Sequence, residues 1–361
     1  MSRAGKIARR TFLIGSAAIA GGVAFGVVMY HRPHQNPLLD QLSEGEAAIT
    51  PYVLIRSDGI TLITPRADLG QGAYHLQAAL IAEELDVTLD QVTVDPGPPS
   101  PAYYNTALAA DAAPFPATDD GFMAGATRRV MDAPMKFLGI QITGGSTTVP
   151  DAWDKLRHAG AVARETLKSA AASRTGLARA DLRTDKGAVI LPDGTRLPYT
   201  ALAEDVAQTA PVTDVTLRDP AQGRLIGQDT QRLDIMAKST GTQDYGIDIT
   251  LDGMLFAAMR TNPRMGGAMN GYDASKAETM PGVHRIVPVE NGIGVLADNT
   301  WRAMKAVEAI EVDWGPAPYP AEMDAHWQTL ADSFTGDRID SRYRDDGDVE
   351  TALATGTIEA E

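Results

Sequence analysis

Residues 68–87 join a glycine-rich turn to a helical pattern and read Asp-Leu-Gly-Gln-Gly-Ala-Tyr-His-Leu-Gln-Ala-Ala-Leu-Ile-Ala-Glu-Glu-Leu-Asp-Val. After Gly70-Gln71-Gly72, apolar residues recur at the i, i+3, i+4, i+7 spacing of one helix face, namely Ala78, Ile81, Ala82 and Leu85. The free N–H groups at the start of such a helix favour an anion such as phosphate, and glycines allow its close approach. The stretch therefore predicts a turn that holds an anionic ligand, with Gln71 as an additional amide donor or acceptor.

β-Strands are predicted on both sides of this helix. Two β-rich runs, Tyr52–Ile55 and Ile60–Thr64, are joined by Asp58-Gly59, which is a strong hairpin signal. Downstream, Val92–Val94 has strand propensity and is closed by a proline-rich segment. The turn therefore lies between a hairpin and a helix that returns to a further strand.

A nicotinamide dinucleotide site is the competing interpretation of the same turn. Its fingerprint is Gly-x-Gly-x-x-Gly in a strand–turn–helix unit, where the third glycine permits close packing of the helix on the strand. Here that position is His75, whose imidazole argues against the dinucleotide fold. The nicotinamide enzyme is therefore kept only as an alternative.

The first thirty residues have the composition of an export signal. Four basic residues precede an uncharged apolar stretch, residues 11–30, which is close to the roughly 20 residues that span a bilayer. The run Arg9-Arg10-Thr11-Phe12-Leu13 fits a twin-arginine signal, with a chance arginine pair before a Sec signal or a simple anchor as the alternative. We therefore predict a twin-arginine signal or inner-membrane anchor over residues 1–32, a linker over 33–47, and a periplasmic location.

The composition excludes several classes of function. The chain has no cysteine among its 361 residues, so it cannot form disulfides, thiolate zinc sites or cysteine-ligated iron–sulfur clusters. Its six histidines show no helical pair, and no metal site is predicted from them. A formal net charge of −15 repels nucleic acid, so no nucleic-acid partner is expected.

A second glycine-containing turn also precedes a predicted helix. The segment Thr143-Gly144-Gly145-Ser146 leads to Asp151, a candidate N-cap, and to an apolar stripe that continues to Ala172. Two such turns at helix starts suit the two ends of one phosphorylated ligand. A capped loop without a ligand is the alternative for Thr143–Thr148.

The segment between the two turns has little periodicity. We expect residues 95–125 to form a long surface loop, because proline, alanine, aspartate and glycine dominate it. Within it, loop packing is favoured over cofactor contact for Tyr103, Tyr104 and Asn105.

The rest of the chain is predicted to form short elements. A strand and turn are expected at 187–194, a short helix at 199–208 and a connector at 211–225. Short β runs at 254–259, 283–289 and 292–297, a helix near 301–309 and a strand at 310–314 predict a compact α+β domain within 249–314, and the chain becomes acidic and less periodic afterwards.

Three segments occur in the order and spacing of one protein family. They are the Gly70–Gly72 turn with Ala82-Glu83-Glu84-Leu85; the Thr143–Ser146 loop leading to Trp153, Leu156-Arg157, Ala159-Gly160-Ala161 and Ala163-Arg164; and Arg232-Leu233-Asp234 through Gly253-Met254-Leu255-Phe256-Ala257-Ala258. In these segments the chain resembles the N-terminal half of the large (beta) subunit of molybdenum hydroxylases of the isoquinoline 1-oxidoreductase type. These proteins are relatives of xanthine dehydrogenase, aldehyde oxidase and membrane-bound aldehyde dehydrogenase.

The resemblance implies an α+β fold, in which a partial molybdopterin-binding domain is followed by an α/β hammerhead domain. It places the first part of the molybdopterin-binding domain at 48–225 and the hammerhead domain at 226–318. Residues 319–361 would connect to a C-terminal molybdopterin-binding region that is missing here. Four residues would be structural parts of the hammerhead, namely Asp234, Lys238, Tyr245 and Asp248.

The same resemblance implies a cofactor, partners and a reaction. Molybdopterin cytosine dinucleotide would be shared between this chain and the C-terminal half, and [2Fe–2S] clusters would lie only on a small partner subunit. The reaction would hydroxylate an aldehyde or an N-heterocycle with oxygen from water, and electrons would pass through the clusters to a membrane cytochrome c. The expected cofactor-binding residues are Gly70, Gln71, Gly72, Gly144, Gly145 and Ser146.

No catalytic residue is carried over from the family. Its Gly-Gly-Phe-Gly loop and its C-terminal Gly-Glu base have no counterpart in the sequence, and Gly45-Glu46 lies in the linker. Three hypotheses follow: a large subunit that pairs with a separately encoded C-terminal half, a non-catalytic remnant or exported binding or assembly module, and the nicotinamide enzyme.

Overall fold

The computed structural model describes residues 32–116, 118–339 and 347–356. Residues 1–31 of the predicted export signal or anchor, which was placed at 1–32, lie outside these ranges. Contacts divide the chain into two compact units, one ending at Gln243 and the other beginning at Asp244. Helices and strands are mixed in both units, which agrees with the α+β prediction. The assignment of molybdopterin-binding and hammerhead domains stays a prediction.

The first unit contains a four-stranded sheet built on the predicted hairpin. Strands β1 (Ala47–Thr50), β2 (Val53–Ile55) and β3 (Ile60–Ile63) are antiparallel, and β4 (Val92–Asp95) pairs with β3 in parallel. Both the hairpin and the strand after the helix are therefore confirmed. A second, antiparallel sheet consists of β5 (Arg183–Asp185), β6 (Ala188–Ile190) and β7 (Arg196–Pro198).

Two long helices pack against each other in the core of this unit. The helices described here are α1 (Ala73–Leu85), α2 (Ala107–Asp111), α3 (Phe122–Leu138), α4 (Thr148–Thr175), α5 (Ala203–Ala207) and α6 (Ile235–Thr240). The predicted apolar face of α1 is fully buried, as the helical spacing requires. Gly160 of α4 permits the close contact, because a Cβ there would lie 2.4 Å from the carbonyl oxygen of Ile81 in α1.

Two expectations for this unit are wrong. Residues 95–125 are not one long loop, since they contain α2 and the first residues of α3. Helix α3 escapes prediction because Pro134 lies inside it and its large apolar side chains point outward. Asp151 is not an N-cap, because α4 begins at Thr148 and the Asp151 carboxylate bonds to other elements.

The second unit contains two small sheets and four helices among the residues that the structure describes. The antiparallel strands β8 (Phe256–Thr261), β11 (Gly292–Ala297) and β10 (Val283–Val289) form one sheet, and β9 (Met269–Asp273) pairs with β12 (Glu311–Trp314) in the other. The helices are α7 (Ser275–Glu278), α8 (Thr300–Glu308), α9 (Met323–Ala331) and α10 (Val349–Ala354). The strands predicted at 283–289 and 292–297 and the helix near residue 301 are confirmed.

Candidate functional site

The first glycine turn has the open backbone that its sequence predicts. Gly70 and Gly72 adopt φ angles of +108° and +87°, a region that side chains strongly disfavour. A Cβ built on either glycine meets no atom of the described chain within 4 Å. Helix α1 begins at the next residue, so a ligand can reach both the turn and the helix start.

A carboxylate closes part of this helix start. Asp68 accepts hydrogen bonds from the backbone N–H of Gly70 at 2.7 Å and from that of Tyr74 at 2.9 Å. Gln71 spans the turn, since its Oε1 accepts from the N–H of Leu69 at 2.6 Å and its Nε2 donates to the carbonyl of Ala67 at 3.0 Å. The Gln71 side chain therefore holds the turn in shape.

Two cations from residues 227–243 lie beside Asp68. Arg232 donates to the carbonyl of Gly70 at 2.9 Å and lies 3.6 Å from the Asp68 carboxylate, and Lys238 lies 4.0 Å from it. Asp234 pairs with both cations. Burial alone would raise the pKa of Asp68, but the amides of Tyr74 and Gly70 and the two cations hold it below its usual value.

The four residues that the resemblance assigns to the hammerhead lie in two different units. Contacts group Asp234 and Lys238 with the first unit, at the glycine turn, and the assignment of both residues to the hammerhead stays a prediction. Tyr245 and Asp248 belong to the second unit, where the N–H of Tyr245 donates to Asp248 at 3.0 Å.

The second glycine turn is also open. Gly145 and Ser146 have φ angles of +60° and +57°, and a Cβ on Gly144 meets nothing within 4 Å among the described residues. Thr147 fastens the turn to the start of α4, because its hydroxyl donates to the carbonyl of Gly144 at 2.7 Å. The backbone of Gly144 therefore faces free space beside a helix start.

A direct hydrogen bond joins the two segments that carry the turns. The N–H of Ala67 donates to the hydroxyl of Thr143 at 3.0 Å, although 76 residues separate them in sequence. Asn105 supports the second turn from below, since its amide donates to the Ile142 carbonyl at 3.0 Å and to Thr147 Oγ1 at 2.8 Å. The packing expected for Asn105 is thus confirmed. The binding of a cofactor by Gly70, Gln71, Gly72, Gly144, Gly145 and Ser146 stays a prediction.

His75 ties α1 to the segment before α6. Its Nε2 lies 2.9 Å from Thr230 Oγ1, and its Nδ1 is buried without a hydrogen-bond partner in the described part of the chain. Burial and the nearby Arg232 lower the pKa of His75, which favours the neutral form of the ring. The imidazole at the third glycine position therefore has a packing role.

A buried polar cluster around Arg66 fixes the chain that enters the first turn. The Arg66 guanidinium donates to the carbonyls of Tyr103 and Tyr104, both at 2.8 Å, and to Asp151 at 2.6 Å. The buried amide of Gln77 accepts from the Arg66 N–H and donates to its carbonyl. Sequence reasoning missed Arg66 and Gln77, because no local pattern distinguishes them from surface polar residues.

At the opposite end of α1, the acidic motif of the family resemblance is structural. Glu84 is fully buried and accepts hydrogen bonds from Arg157 at 3.0 and 2.8 Å, from Arg164 at 3.2 Å and from the N–H of Arg218 at 3.1 Å. Glu83 accepts from three consecutive backbone N–H groups, those of residues 224–226. Both carboxylates fasten the connector to α1 and α4.

Neither a protein metal site nor a membrane helix is found in the described ranges. No group of three or more His, Cys, Asp or Glu side chains there can hold a metal ion. None of the helices in residues 32–116, 118–339 and 347–356 is long and apolar enough to cross a membrane.

Comparison with known proteins identifies relatives over most of the chain, although no family profile matches it. It is 29% identical to the beta subunit of isoquinoline 1-oxidoreductase of Brevundimonas diminuta, over 89% of this chain and 42% of that protein. Identity is 27% to a membrane-bound aldehyde dehydrogenase [pyrroloquinoline-quinone] of Gluconacetobacter polyoxogenes, over 86% and 37%. A nicotinate dehydrogenase subunit of Pseudomonas putida is 26% identical, over 86% and 24%.

The isoquinoline 1-oxidoreductase and nicotinate dehydrogenase subunits are proteins of the molybdenum hydroxylase family, and this chain is similar to both over most of its length. Within that family it is similar to the beta subunits of the isoquinoline 1-oxidoreductase type, as its motifs predict. It spans less than half the length of each of these three relatives. A solved aldehyde oxidoreductase from Desulfovibrio gigas aligns with a TM-score of 0.25 and 26% identity, over 36% of this chain and 19% of that one.

Proposed function

We propose that the chain forms part of the large subunit of a molybdenum-dependent oxidoreductase that hydroxylates an aldehyde or an N-heterocycle. The observation that carries the proposal is the hydrogen bond from Ala67 to Thr143, which joins two open glycine turns at the starts of two helices. The names of the relatives include both an aldehyde dehydrogenase and a nicotinate dehydrogenase, which supports these two substrate classes.

The two turns fit one side of a molybdopterin cytosine dinucleotide. The open faces at Gly70, Gly72 and Gly144 leave room for a pyrophosphate to approach the backbone, whose N–H groups suit phosphate oxygens. Asp68 takes two of the amides at the first turn, so those of Gln71 and Gly72 and those of the second turn remain as donors. Arg232 and Lys238 offset the charge of Asp68 at this position.

The role of this chain is to hold and orient that cofactor. When bound, the cofactor supplies the oxidation at the substrate carbon, with water as the source of oxygen. The hydrogen bonds of Gln71 and Thr147 keep the turns in shape, and the buried Arg66 cluster fixes the chain entering the first turn. Such preorganised donors lower the cost of ordering on binding.

The remaining parts of the enzyme would be supplied by partners. Iron–sulfur clusters would lie on a small subunit, because this chain has no cysteine to ligate them. The C-terminal molybdopterin-binding half would be a further partner if it is separately encoded, and a membrane cytochrome c would accept the electrons. The twin-arginine signal in residues 1–32 would take the assembled complex to the periplasm.

The test is the molybdenum content of the chain purified from the envelope of its native host. We expect near-stoichiometric molybdenum and cytidine monophosphate released on acid hydrolysis in the wild type. Gly144→Asp should lower both at least about tenfold, because it puts a carboxylate beside the phosphates without a strained φ. Gly144→Ala is the matched control and should retain both.

The other outcomes are equally informative. Unchanged molybdenum in Gly144→Asp refutes the glycine-turn site. Pyrroloquinoline quinone in place of molybdenum, the cofactor in the name of one relative, refutes the molybdenum assignment. Absence of both cofactors from the wild type, with a bound partner protein, supports the non-catalytic binding or assembly module instead.

A further inference from the structure

The peptide group between Gly70 and Gln71 is bonded on one side and open on the other. The guanidinium of Arg232 donates to the carbonyl of Gly70 at 2.9 Å. No group in the described ranges accepts from the N–H of Gln71, and a Cβ on Gly70 meets nothing there within 4 Å. A trans peptide group is planar, so its C=O and N–H point in opposite directions. The bond from Arg232 therefore directs the Gln71 N–H away from Arg232 and into open space.

The backbone alone does not fix the direction of this peptide group. Gly70 has a φ angle of +108°, and glycine, which lacks a Cβ, adopts a wide range of φ and ψ angles. The side chain of Gln71 bonds to the N–H of Leu69 and to the carbonyl of Ala67, both of which precede Gly70. The carbonyl of Gly70 therefore depends on Arg232 for its orientation.

The side chain of Arg232 is itself held in place. Asp234 accepts hydrogen bonds from its Nε at 3.3 Å and from its Nη2 at 3.1 Å, a two-point contact that fixes the plane of a guanidinium. Two residues earlier, the hydroxyl of Thr230 lies 2.9 Å from Nε2 of His75 in α1. The segment that carries Arg232 is thus attached to the helix that begins at the glycine turn.

The second cation near the turn makes different contacts. Lys238 pairs with Asp234 and lies 4.0 Å from the carboxylate of Asp68, and Arg232 lies 3.6 Å from the same carboxylate. Of the contacts that the two cations make in the described part of the chain, only that of Arg232 reaches a backbone carbonyl of the turn. Both cations offset the charge of Asp68, but Arg232 also orients a peptide group.

We propose that Arg232 is a positioning residue that aims the N–H of Gln71 at a phosphate group of the bound cofactor. The inference rests on the proposed function and adds to it a residue outside the two glycine turns. Arg232 lies on the far side of the peptide group and acts through it. Its charge polarises the peptide group, which strengthens the N–H as a donor. Because the donor is already oriented, less order has to be imposed when the phosphate binds.

The first experiment separates orientation from charge. Molybdenum is measured in the full chain purified from the envelope of its native host. Arg232→Met should lower it at least about tenfold, because the charge-assisted hydrogen bond to the turn is lost. Lys238→Met should lower it no more than about twofold, since it removes a partly exposed charge but no bond to the turn. Arg179→Met, at an exposed arginine, is the matched control and should retain the wild-type content.

The second experiment observes the peptide group itself and does not depend on molybdenum. The full chain is labelled with ¹⁵N and titrated with inorganic pyrophosphate, and the backbone amide resonances are followed by NMR. The Gln71 amide should shift on titration in the wild type and should lose most of this shift in Arg232→Met. The Gly144 amide of the second turn should shift in both proteins, which a general loss of structure would not allow.

The outcomes are distinct. Equal losses of molybdenum in Arg232→Met and Lys238→Met, or equal shifts of the Gln71 amide in the wild type and Arg232→Met, overturn the positioning role while the proposed function stands. Wild-type chain without molybdenum refutes the proposed function. In that case a Gln71 shift that depends on Arg232 still supports the positioning of a phosphate, and the absence of any Gln71 shift overturns it.

Discussion

The two ends of helix α1 both carry carboxylates, but they are built for different purposes. At the C-terminal end Glu84 is completely buried among Arg157, Arg164 and the backbone of Arg218. At the N-terminal end Asp68 closes an exposed turn whose glycines face open space. One end is a sealed structural joint, and the other is accessible to a ligand.

The two ends belong to one family motif, the glycine turn at 70–72 followed by Glu83-Glu84, but one part stabilises the fold and the other is open to a ligand. Carboxylates at a helix C-terminus are unfavourable for the helix dipole, so Glu83 and Glu84 need the arginines and backbone N–H groups that surround them. The glycines of the turn, by contrast, make few packing contacts that could stabilise the fold. Both parts of the motif therefore support the same resemblance, but only the turn is a candidate for cofactor contact.

The largest effect is expected at the sealed end. Glu84→Ala leaves two buried guanidinium groups without their carboxylate, which should lower the free energy of unfolding by about 3–5 kcal/mol. Urea unfolding followed by circular dichroism measures the change. Glu204→Ala, at an exposed carboxylate, is the control and should cost no more than about 1 kcal/mol. A Glu84 effect as small as the control would remove the distinction between the two ends.

The close contact of α1 and α4 gives the second effect. Gly160→Ala puts a methyl group 2.4 Å from the Ile81 carbonyl oxygen and should destabilise the protein by about 1–3 kcal/mol. The matched variant is Gly125→Ala in α3, where a Cβ meets nothing within 4 Å among the described residues. It should stabilise by about 0.5–1 kcal/mol, since alanine favours the helix. The same sign of change in both variants would contradict the packing described here.

Local patterns predicted the elements whose apolar residues face the core. The Asp58-Gly59 hairpin, helix α1 and the strands at 283–289 and 292–297 all follow from spacing and turn chemistry. Helix α3 was not predicted, because Pro134 lies inside it and its exposed apolar residues do not mark a face buried in the core. Apolar residues that face solvent reverse the pattern on which such predictions depend.

The sequence predicted the glycine turns of the candidate site but not the side chains that hold these turns in place. Gly70 and Gly145 are recognisable from turn chemistry, since few other residues adopt positive φ angles. Arg66, Gln77 and Arg232 hold the turns through contacts across long stretches of sequence. Such contacts leave no local pattern, so only the folded structure identifies them.

Asp132 in helix α3 should make the stability of the fold depend on pH. Burial raises the pKa of Asp132 to about 6, helped by the Asp151 carboxylate and opposed by Lys155. Because the folded protein binds the proton of Asp132 more tightly than the unfolded chain does, the protonated carboxyl group stabilises the fold. This contribution is fully present below pH 3.8, the ordinary pKa, and is lost as the pH rises through about 6.

Asp132→Asn should therefore remove that pH dependence. Relative to the variant, the wild type should lose about 1–2 kcal/mol of unfolding free energy between pH 4 and pH 7, allowing for screening by solvent. Urea unfolding across this pH range measures the difference, with Asp193→Asn at an exposed carboxylate as the control. Parallel curves for the wild type and Asp132→Asn would show that Asp132 does not titrate in this range.

The smallest effect on stability is expected at the open end of α1. Gln71→Ala removes two side-chain hydrogen bonds within an exposed turn, so the free energy of unfolding should fall by less than about 1 kcal/mol. The molybdenum retained per chain should nevertheless fall clearly, because the turn would lose its preorganised shape. Molybdenum content and urea unfolding of the same preparation measure both quantities. If Gln71→Ala instead destabilised the protein as strongly as Glu84→Ala, the turn would be a structural joint like the other end. If stability and molybdenum were both unchanged, Gln71 would have no part in the site.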